Sequence, residues 1–273
     1  MKTVLLISSL VSSSQVGATA SAFCLRRLGF DVVILPTTLF GRHPGWGAPG
    51  GHVVNKETLS DMWQAIKAQN IKFDAVMSGY MAAEDHIDLT IDIISDIRRD
   101  NPSACILIDP VKGDDGRLYI PEHRARAMQE RLVPQADILT PNLYELSYMA
   151  GQTLTTLPDI MTAARRMGSD ILVTSVPYKD QIGALWVSTD QVSYVGHESF
   201  SSVPNGGGDS LAALFLAHRL SRKTPKQAQQ MAVSSIFEIL KAANTAKHAE
   251  LPLTEYQQSL LTPSCLDIQE IDL

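Results

Sequence analysis

Three consecutive glycines followed by an aspartate carry the clearest chemistry in this sequence. Gly206, Gly207 and Gly208 precede Asp209, and an apolar run, Ser210–Arg219, continues directly from them. Glycines let a ligand approach the backbone closely, and the free N–H groups at a helix N-terminus favour an anion. Asp209 beside a bound phosphate would then accept the proton of a hydroxyl group during phosphoryl transfer. An ordinary first helical turn, whose dipole favours an aspartate, explains the same residues, so both readings stay open on this segment alone.

Two other segments place oxygen ligands where a metal or a phosphate could bind. Asp109 and Asp114 flank a Pro-Val-Lys-Gly turn just after an apolar strand-like run. Mg²⁺ prefers such oxygens and keeps several waters when it bridges phosphates, although a plain turn explains the same residue types. Asn142 and Glu145 have the spacing of a helix capping box. That helix start faces the same predicted cleft, where Glu145 would meet a metal-bound water and Asn142 a phosphate.

A second glycine pattern, Gly45–Gly50, matches G-x-G-x-x-G but does not predict a dinucleotide site. Pro44 and Pro49 interrupt the segment, so no helix can begin at its third glycine. We expect a mobile flap over the cleft instead. The histidines outside recognisable catalytic spacings are assigned to surface or lid roles: His43, His52 and His86.

The elements that must position these residues alternate between short apolar strands and longer segments of helical period. This alternation predicts a mostly parallel sheet with helices on both faces. The predicted strands are Thr3–Ser8, Asp31–Thr37, Ala75–Gly79, Ala104–Asp109, Ile138–Thr140 and Asp170–Ser175. The predicted helices are Gly17–Leu28, Lys56–Asn70, Glu84–Asp100, Glu122–Leu132, Leu157–Met167 and about Lys226–Ala246. An antiparallel hairpin of Gly183–Val187 and Gln191–Val195 is expected at one edge.

Polar residues stand at the carboxyl ends of the predicted parallel strands, where open α/β sheets bind their ligands. They are Ser8 and Ser9, Gly79 and Tyr80, Asp109, Thr140 and Asn142, and Thr174 and Ser175. The sequence therefore predicts one shared cleft.

Length and composition set outer bounds on the class of protein. The 273 residues suit one large domain, 1–273, because no linker interrupts them. The net charge of -6 argues against a nucleic-acid or anionic-membrane surface. No apolar run approaches the roughly 20 residues that span a bilayer. Cys24, Cys105 and Cys265 lack metal-ligand spacing and suit reduced thiols, which predicts a cytoplasmic protein.

Taken in order, the motifs resemble those of pyridoxal kinases of the ribokinase-like superfamily, from about Val4 to Arg219. The landmarks are Ile7–Gly17, Phe23–Gly29, Thr37 and Phe40 with His43–Gly47, Ser78–Tyr80, Asp109–Asp114 with Leu118–Pro121, Ala136–Glu145 and Gly206–Asp209. The resemblance implies a three-layer α/β/α ribokinase-like fold with a small lid. It also implies an ATP-dependent kinase that phosphorylates the 5′-hydroxymethyl group of pyridoxal, and a homodimer.

The same resemblance assigns roles to individual residues. Asp209 matches the base, and Gly206, Gly207 and Gly208 match the anion hole around the transferred phosphoryl group. The pyridoxal pocket is matched by Ser9, Val16, His43 and Tyr80. The phosphate and nucleotide side is matched by Asp109, Asp114, Tyr119, Asn142, Thr174 and Ser175. Asp109, Thr140 and Glu145 match the Mg²⁺ ligands, and the need for a monovalent cation such as K⁺ stays open.

Several residues depart from the family pattern, mostly on the acceptor side. Gly207 stands where the family usually has threonine, which removes a hydroxyl but keeps the amide donor. Leu10, Ser13, Gln15 and Pro44 also differ from the usual residues. The acceptor therefore has alternatives, namely pyridoxine, pyridoxamine or a hydroxymethylpyrimidine. A non-catalytic sensor of a vitamer or nucleotide is a further alternative, against which the joint presence of a base and an anion hole argues.

Overall fold

One mixed sheet of ten strands dominates the computed structural model, which describes residues 1–114 and 116–271. The strands in chain order are β1 (Thr3–Val11), β2 (Asp31–Phe40), β3 (Gly51–Val53), β4 (Ala75–Ser78), β5 (Cys105–Ile108), β6 (Gly113–Asp114), β7 (Arg117–Leu118), β8 (Ile138–Leu139), β9 (Asp170–Tyr178), β10 (Gln181–Val187), β11 (Val192–His197) and β12 (Ile268–Glu270). Strands β6 and β7 form a separate two-stranded hairpin.

The spatial order of the large sheet is β12-β11-β10-β9-β8-β5-β4-β1-β2-β3. Its six middle strands, from β9 to β2, are parallel, and antiparallel strands extend it at both edges. Parallel strands are buried on both faces, which explains why β4 and β5 read as continuous apolar runs rather than alternating ones. The predicted mostly parallel sheet is confirmed.

Helices cover both faces of the sheet. They are α1 (Gly17–Arg27), α2 (Lys56–Lys67), α3 (Glu84–Asp100), α4 (Glu122–Ala127), α5 (Leu143–Ala150), α6 (Leu157–Arg165), α7 (Gly207–Leu220) and α8 (Pro225–Ala246). Two separate apolar cores result, one beneath α2 to α6 and one beneath α1, α7 and α8. The molecule therefore has three layers, as expected.

Local capping signals fix several helix starts. Asn55 accepts a hydrogen bond from Thr58 N at the start of α2, and Thr156 does the same for Asp159 N at the start of α6. Thr224 and Gln227 form a capping box at α8. These side chains satisfy backbone donors that a helix leaves without intrahelical partners. The starts of α2 and α6 consequently coincide with the predicted ones, and α8 begins one residue before its predicted start. The predicted helix Glu122–Leu132 is α-helical only to Ala127 and continues as a π-helical turn over Met128–Leu132.

The strand order reverses at β1, because β2 lies on one side of β1 and β4 lies on the other. The helix after β1 packs on one face and the helix after β4 on the opposite face. A crevice opens at the carboxyl ends of two strands whose following helices diverge in this way. The fold thus provides a ligand site beside the ends of β1 and β4.

Several strands are longer than predicted or were missed. Strand β1 continues beyond Ser9 to Val11, so Ser8 and Ser9 lie inside it, at a register shift against β2. Strand β9 continues to Tyr178 through Ser175, whose φ of 57° marks a bulge. The short strands β3, β6, β7 and β12 lacked a detectable pattern because two or three residues cannot show periodicity. In the described part of the chain, no helix is long and apolar enough to cross a membrane.

Candidate active site

A cleft of about 460 Å³ opens at the carboxyl ends of the parallel strands. Its lining includes the glycine turn, Asp209 and the predicted phosphate and metal residues. These are Gly206, Gly207, Gly208, Asp209, Asp109, Asp114, Tyr119, Thr140, Asn142, Glu145, Thr174 and Ser175. The tertiary structure therefore brings residues from five separate segments together, while their individual roles stay predictions.

The glycine turn closes one wall of the cleft at the start of α7. Gly206 is the residue before the helix and has a φ of 96°, a left-handed conformation that favours glycine. A Cβ atom on Gly206 would lie 1.9 Å from the carbonyl oxygen of Gln15, so the two backbones are in direct contact. A Cβ on Gly208 would meet no atom within 4 Å. Gly206, the N-cap residue, has no side chain to cap the helix, and a bound anion could take that place.

Asp209 lies half-buried where the cleft meets the crevice between β1 and β4. The backbone N–H of Gly17 lies near its carboxylate and favours the ionised form. A Cβ on Gly79, the residue after β4, would come within 4.0 Å of Asp209 Oδ1, so that carboxylate faces the end of β4. Desolvation raises the pKa of Asp209, and the Gly17 N–H partly offsets the rise. The carboxylate thus stands at the boundary between two sides of the site.

Asp109 and Thr140 lie deeper, at the ends of β5 and β8. Asp109 is 7% exposed, and its pKa is raised well above the usual range, first by desolvation and then by the charges of Glu145 and Asp209. The buried Thr140 hydroxyl lies beside this carboxyl and lowers its pKa, but it makes no well-formed hydrogen bond with any described residue. A buried carboxyl and this hydroxyl side by side are polar groups that a ligand or a cation would satisfy.

Glu145 is the second deeply buried carboxyl of the cleft. It accepts hydrogen bonds from three backbone amides, at Lys112 (2.7 Å), Gly113 (3.4 Å) and Asn142 (3.0 Å). Burial nevertheless raises the pKa of Glu145 to about 7, and the three amides only reduce the rise. Glu145 is thus largely committed to holding the loop after β5 against the start of α5.

Lys112 has no exposed surface, and its Nζ makes no hydrogen bond with any described residue. It lies 5.5 Å from the centre of the Tyr148 ring. Desolvation lowers the pKa of Lys112 to about 8, while the nearby charge of Glu145 opposes the shift. No local sequence pattern indicates this buried ammonium group, because its burial depends on the packing of α5.

The capping box predicted at Asn142 and Glu145 is confirmed. Asn142 Oδ1 accepts from Glu145 N (2.8 Å), and Asn142 Nδ2 donates to Gly113 O (2.8 Å). Both ends of this amide are therefore used within the protein, so its contact with a phosphate would require one of these hydrogen bonds to be exchanged. Thr174 is fixed beside it, since Thr174 N donates to Pro141 O at 2.8 Å.

The predicted acceptor residues do not line the cleft. Ser9 and Val16 are buried on the β1–α1 side, and Ser9 Oγ would lie 2.3 Å from a Cβ on Gly17. Tyr80 follows β4, and its N–H donates to Ser8 Oγ at 3.3 Å. His43 lies half-buried in the connection from β2 to β3. The Asp209 carboxylate lies near the Gly17 N–H, so this acceptor side adjoins the cleft at the carboxylate.

As predicted, no helix begins at Gly50, the third glycine of the segment Gly45–Gly50, because strand β3 begins at the next residue. Pro44–Trp46 form a single 3₁₀ turn in an exposed connection. Its mobility stays a prediction. The surface or lid role assigned to His86 is wrong: this residue is 1% exposed, and its Nε2 lies 2.7 Å from Val54 O. Its position within α3, on the face that packs against the core, decided its burial.

Sequence reasoning missed the apolar half of the cleft. That half is lined by Ile182, Ala184, His197, Phe200, Val203, Leu211, Val233, Ile236 and Leu240. They come from β10, β11, the loop before α7, and helices α7 and α8, and none belongs to a sequence motif with recognisable chemistry. Only the packing of α8 against β10 and β11 places them opposite the polar half.

Comparisons with known proteins agree with this geometry. A family model for phosphomethylpyrimidine kinase matches residues 45–254. Pyridoxal kinase PdxY of Rubrobacter xylanophilus is 33% identical and aligns with 95% of this chain and 94% of its own. Pyridoxal kinase PdxY of Leifsonia xyli is 32% identical, with 95% and 96% of the two chains covered. The similarity extends over nearly the full length of both proteins.

Solved structures show the same architecture. Pyridoxal kinase from Leishmania donovani, in complex with ADP and pyridoxamine, superimposes with a TM-score of 0.93 at 25% identity and covers 100% of both chains. A putative phosphomethylpyrimidine kinase from Bacteroides thetaiotaomicron has a TM-score of 0.92 at 22% identity, covering 99% of this chain and 98% of its own. The second likeness shows the fold alone.

Proposed function

Because this chain belongs to the pyridoxal kinase family it is a kinase, and we propose that Asp209 activates the 5′-hydroxymethyl group of pyridoxal for attack on ATP. The product would be pyridoxal 5′-phosphate. The observation that carries this proposal is the position of Asp209, which faces the cleft on one side and the ends of β1 and β4 on the other. A base in phosphoryl transfer must touch the acceptor hydroxyl while the phosphate lies within reach.

The phosphoryl side of the reaction falls to the glycine turn. Gly207 and Gly208 open the uncapped end of α7, where backbone amides and the helix dipole favour the negative charge that spreads over the transferred group. Asp209 accepts the hydroxyl proton as the oxygen attacks phosphorus. Because the transition state is loose, catalysis depends mainly on alignment of the two reactants.

The polar half of the cleft is proposed to hold the nucleotide phosphates. Relatives with known structures bind ADP, as in the complex of the Leishmania donovani enzyme. Asp114, Tyr119, Asn142, Thr174 and Ser175 surround the corresponding space in this chain. The apolar half of the same cleft offers a matching surface for a base and ribose.

The residues present fit Mg²⁺, which would neutralise phosphate charge when bound. Asp109, Thr140 and Glu145 supply only oxygen ligands, and the Thr140 hydroxyl makes no well-formed hydrogen bond with any described residue. Burial raises the pKa of both carboxyls, and the charge of Glu145 adds to the rise at Asp109, so a nearby cation would stabilise their ionised forms. In the described ranges no three His, Cys, Asp or Glu side chains cluster as a metal site. One or two carboxylates with phosphates and waters is the usual arrangement for Mg²⁺.

The decisive experiment incubates the purified chain with Mg-ATP and each of pyridoxal, pyridoxine, pyridoxamine and hydroxymethylpyrimidine, and measures phosphorylated products. Pyridoxal 5′-phosphate is expected. Asp209→Asn should lower kcat by about 10²–10⁴-fold with a much smaller effect on pyridoxal affinity, because a base contributes mainly in the transition state. Asp190→Asn, in the exposed β10–β11 turn, is the matched control. Unchanged turnover in Asp209→Asn would remove the base assignment.

A hydroxymethylpyrimidine is the second candidate acceptor. The match of residues 45–254 to the phosphomethylpyrimidine kinase model favours it, as do the departures at Leu10, Ser13, Gln15 and Pro44. Both acceptors carry a hydroxymethyl group on a nitrogen ring, so Asp209 would serve either. The ratio of kcat/KM values for the two acceptors decides between them, and no product from any acceptor would refute kinase activity of this chain.

We further propose a single kinase domain over 1–273, a homodimer and a cytoplasmic location. The ten-stranded sheet supports the first, since its edge strand β12 comes from the C-terminal segment. The three cysteines, free in the structure, are compatible with a reducing compartment. Sedimentation velocity of the purified protein tests the dimer, and a dependence of activity on K⁺ is tested by replacing it with a bulky organic cation.

A further inference from the structure

A hydrogen bond between the two ends of the chain holds the loop beside Asp209. The backbone N–H of Gln15 donates to Glu250 Oε2 at 2.9 Å, although 235 residues separate the two. Gln15 precedes Val16, the N-cap residue of α1, and Gly17, the first residue of that helix. Glu250 lies beyond every motif that pointed to kinase chemistry.

The loop held in this way contacts the catalytic turn at two points. The carbonyl oxygen of Gln15 lies only 1.9 Å from the position that a Cβ on Gly206 would take. Two residues later, the backbone N–H of Gly17 lies near the Asp209 carboxylate and favours its ionised form. A short segment, 15–17, therefore connects the anion-hole backbone to the proposed base.

The support for Glu250 is itself ordered. Helix α8 ends at Lys247 in a left-handed conformation with φ of 54°, and His248 N then donates to Ala243 O at 2.9 Å. Leu251 is 2% exposed, and its Cδ1 would lie 3.3 Å from a Cβ on Gly206. The turn after α8 thus packs beneath the glycine turn and presents Glu250 to Gln15.

We propose that Glu250 is a positioning residue for phosphoryl transfer, which fixes the 15–17 segment so that the acceptor hydroxyl, Asp209 and the glycine turn stay aligned. The proposal rests on the function proposed above. Glu250 is not among the residues that line the cleft, and its hydrogen bond is to Gln15, so it acts through the 15–17 segment. We expect Glu250 to affect kcat and the KM for the acceptor, because the 15–17 segment borders the β1–α1 side of the site.

The physical basis is the loss of a backbone partner in a loop whose geometry matters. Without Glu250 the Gln15 N–H must find water, which frees the loop to move relative to Gly206. Displacement of a reacting group by about 1 Å can lower a rate by about 100-fold. A loop that samples several positions would recover part of this, so an intermediate effect is expected.

The kinetic test compares Glu250→Ala, Glu250→Gln and a control, Glu255→Ala, which removes an exposed carboxylate five residues away. We expect Glu250→Ala to lower kcat/KM for the acceptor by about tenfold, through kcat and the acceptor KM, with the KM for ATP within about twofold of wild type. Glu250→Gln keeps an acceptor oxygen and should recover most of the loss. Equal effects on both substrates, or none, would overturn the proposal.

Hydrogen–deuterium exchange separates this proposal from the proposed function. Amides in a peptide covering residues 12–18 should exchange at least about tenfold faster in Glu250→Ala than in wild type and Glu255→Ala, whatever the acceptor is. Exchange that is faster across the whole chain, with a lowered melting temperature, would indicate general destabilisation and refute a local role. If exchange changes as expected but no acceptor is phosphorylated, the structural role of the Glu250–Gln15 hydrogen bond is supported and the kinase assignment fails.

Discussion

Gly206 is the residue at which the structure makes its sharpest mutational prediction. Its φ of 96° is unfavourable for any residue with a Cβ, and the added Cβ of Gly206→Ala would lie 1.9 Å from Gln15 O. That oxygen belongs to the backbone, so it cannot be moved by a side-chain rotation. The substitution must therefore shift either the glycine turn or the 15–17 segment.

The magnitude follows from two separate costs. A left-handed conformation costs a non-glycine residue about 1–2 kcal/mol, and forcing an extra methyl into a packed site costs about 1–3 kcal/mol. We therefore expect the free energy of unfolding to fall by about 2–4 kcal/mol. Ordinary contact begins at 3.4 Å, so the two backbones must separate by about 1.5 Å. A displacement of that size at the base should lower kcat/KM by about 100-fold or more.

Gly208→Ala is the matched control for stability. Gly208 lies in the first turn of α7, and its added Cβ would meet nothing within 4 Å. Alanine is favoured over glycine in a helix by roughly 0.5–1 kcal/mol, so this variant should be as stable as wild type or more so. Urea denaturation of the three proteins measures the difference, and steady-state kinetics with pyridoxal measures the rate.

Two results would refute this reasoning. If Gly206→Ala and Gly208→Ala unfold at the same urea concentration, the contact between Gly206 and Gln15 does not constrain the folded protein. If Gly206→Ala is destabilised but retains full turnover, the 15–17 segment and the turn do not set the geometry of Asp209. The second result would also weaken the role given to Glu250.

Three further predictions concern polar groups in and beside the cleft. Burial lowers the pKa of Lys112 from 10.5 to about 8, so the charged ammonium group destabilises the folded protein at pH 7. Lys112→Met should therefore raise the free energy of unfolding by up to about 3 kcal/mol at pH 7. Urea titrations should show that this gain vanishes above about pH 10.5, where the lysine is neutral in both states. Asn142→Ala should cost about 1–2 kcal/mol, and Asn142→Asp should restore the helix cap but not the bond to Gly113 O, which thermal melts can resolve. The pKa of Glu145 is raised from 4.5 to about 7, so the folded protein favours the protonated carboxyl. The stabilisation from this proton is full below about pH 4.5 and is lost as the pH rises through 7. Wild type should therefore lose stability relative to Glu145→Gln between these two pH values.

Much of the fold was predictable because its signals are local. The alternation of apolar runs predicted the parallel sheet, and the Asn142–Glu145 spacing predicted a capping box that the structure contains. Strand ends were less predictable. Strands β1 and β9 run past their expected last residues because pairing with β2 and β10 extends them through a register shift, and pairing is a property of two distant segments.

The gathering of carboxylates was predictable in outline and their condition was not. The sequence placed Asp109 and Glu145 at one edge of the sheet, since parallel strands share that edge, and the family resemblance placed Asp209 beside them. Their raised pKa values come from desolvation by surrounding elements, which no spacing reveals. His86 shows the same limit, because its position on α3 did not disclose which face of that helix would be buried.

By itself, the sequence determined that a glycine turn and a carboxylate open a helix, because glycine conformation, helix dipoles and capping act within a few residues. Only the tertiary structure decided what that turn contacts. Three contacts join residues far apart in the chain. Gln15 O lies against Gly206, the N–H of Gly17 lies near the Asp209 carboxylate, and the N–H of Gln15 donates to Glu250. Such contacts depend on how α1, α7 and α8 pack on one face of the sheet, and that packing is fixed by the whole core rather than by any single segment.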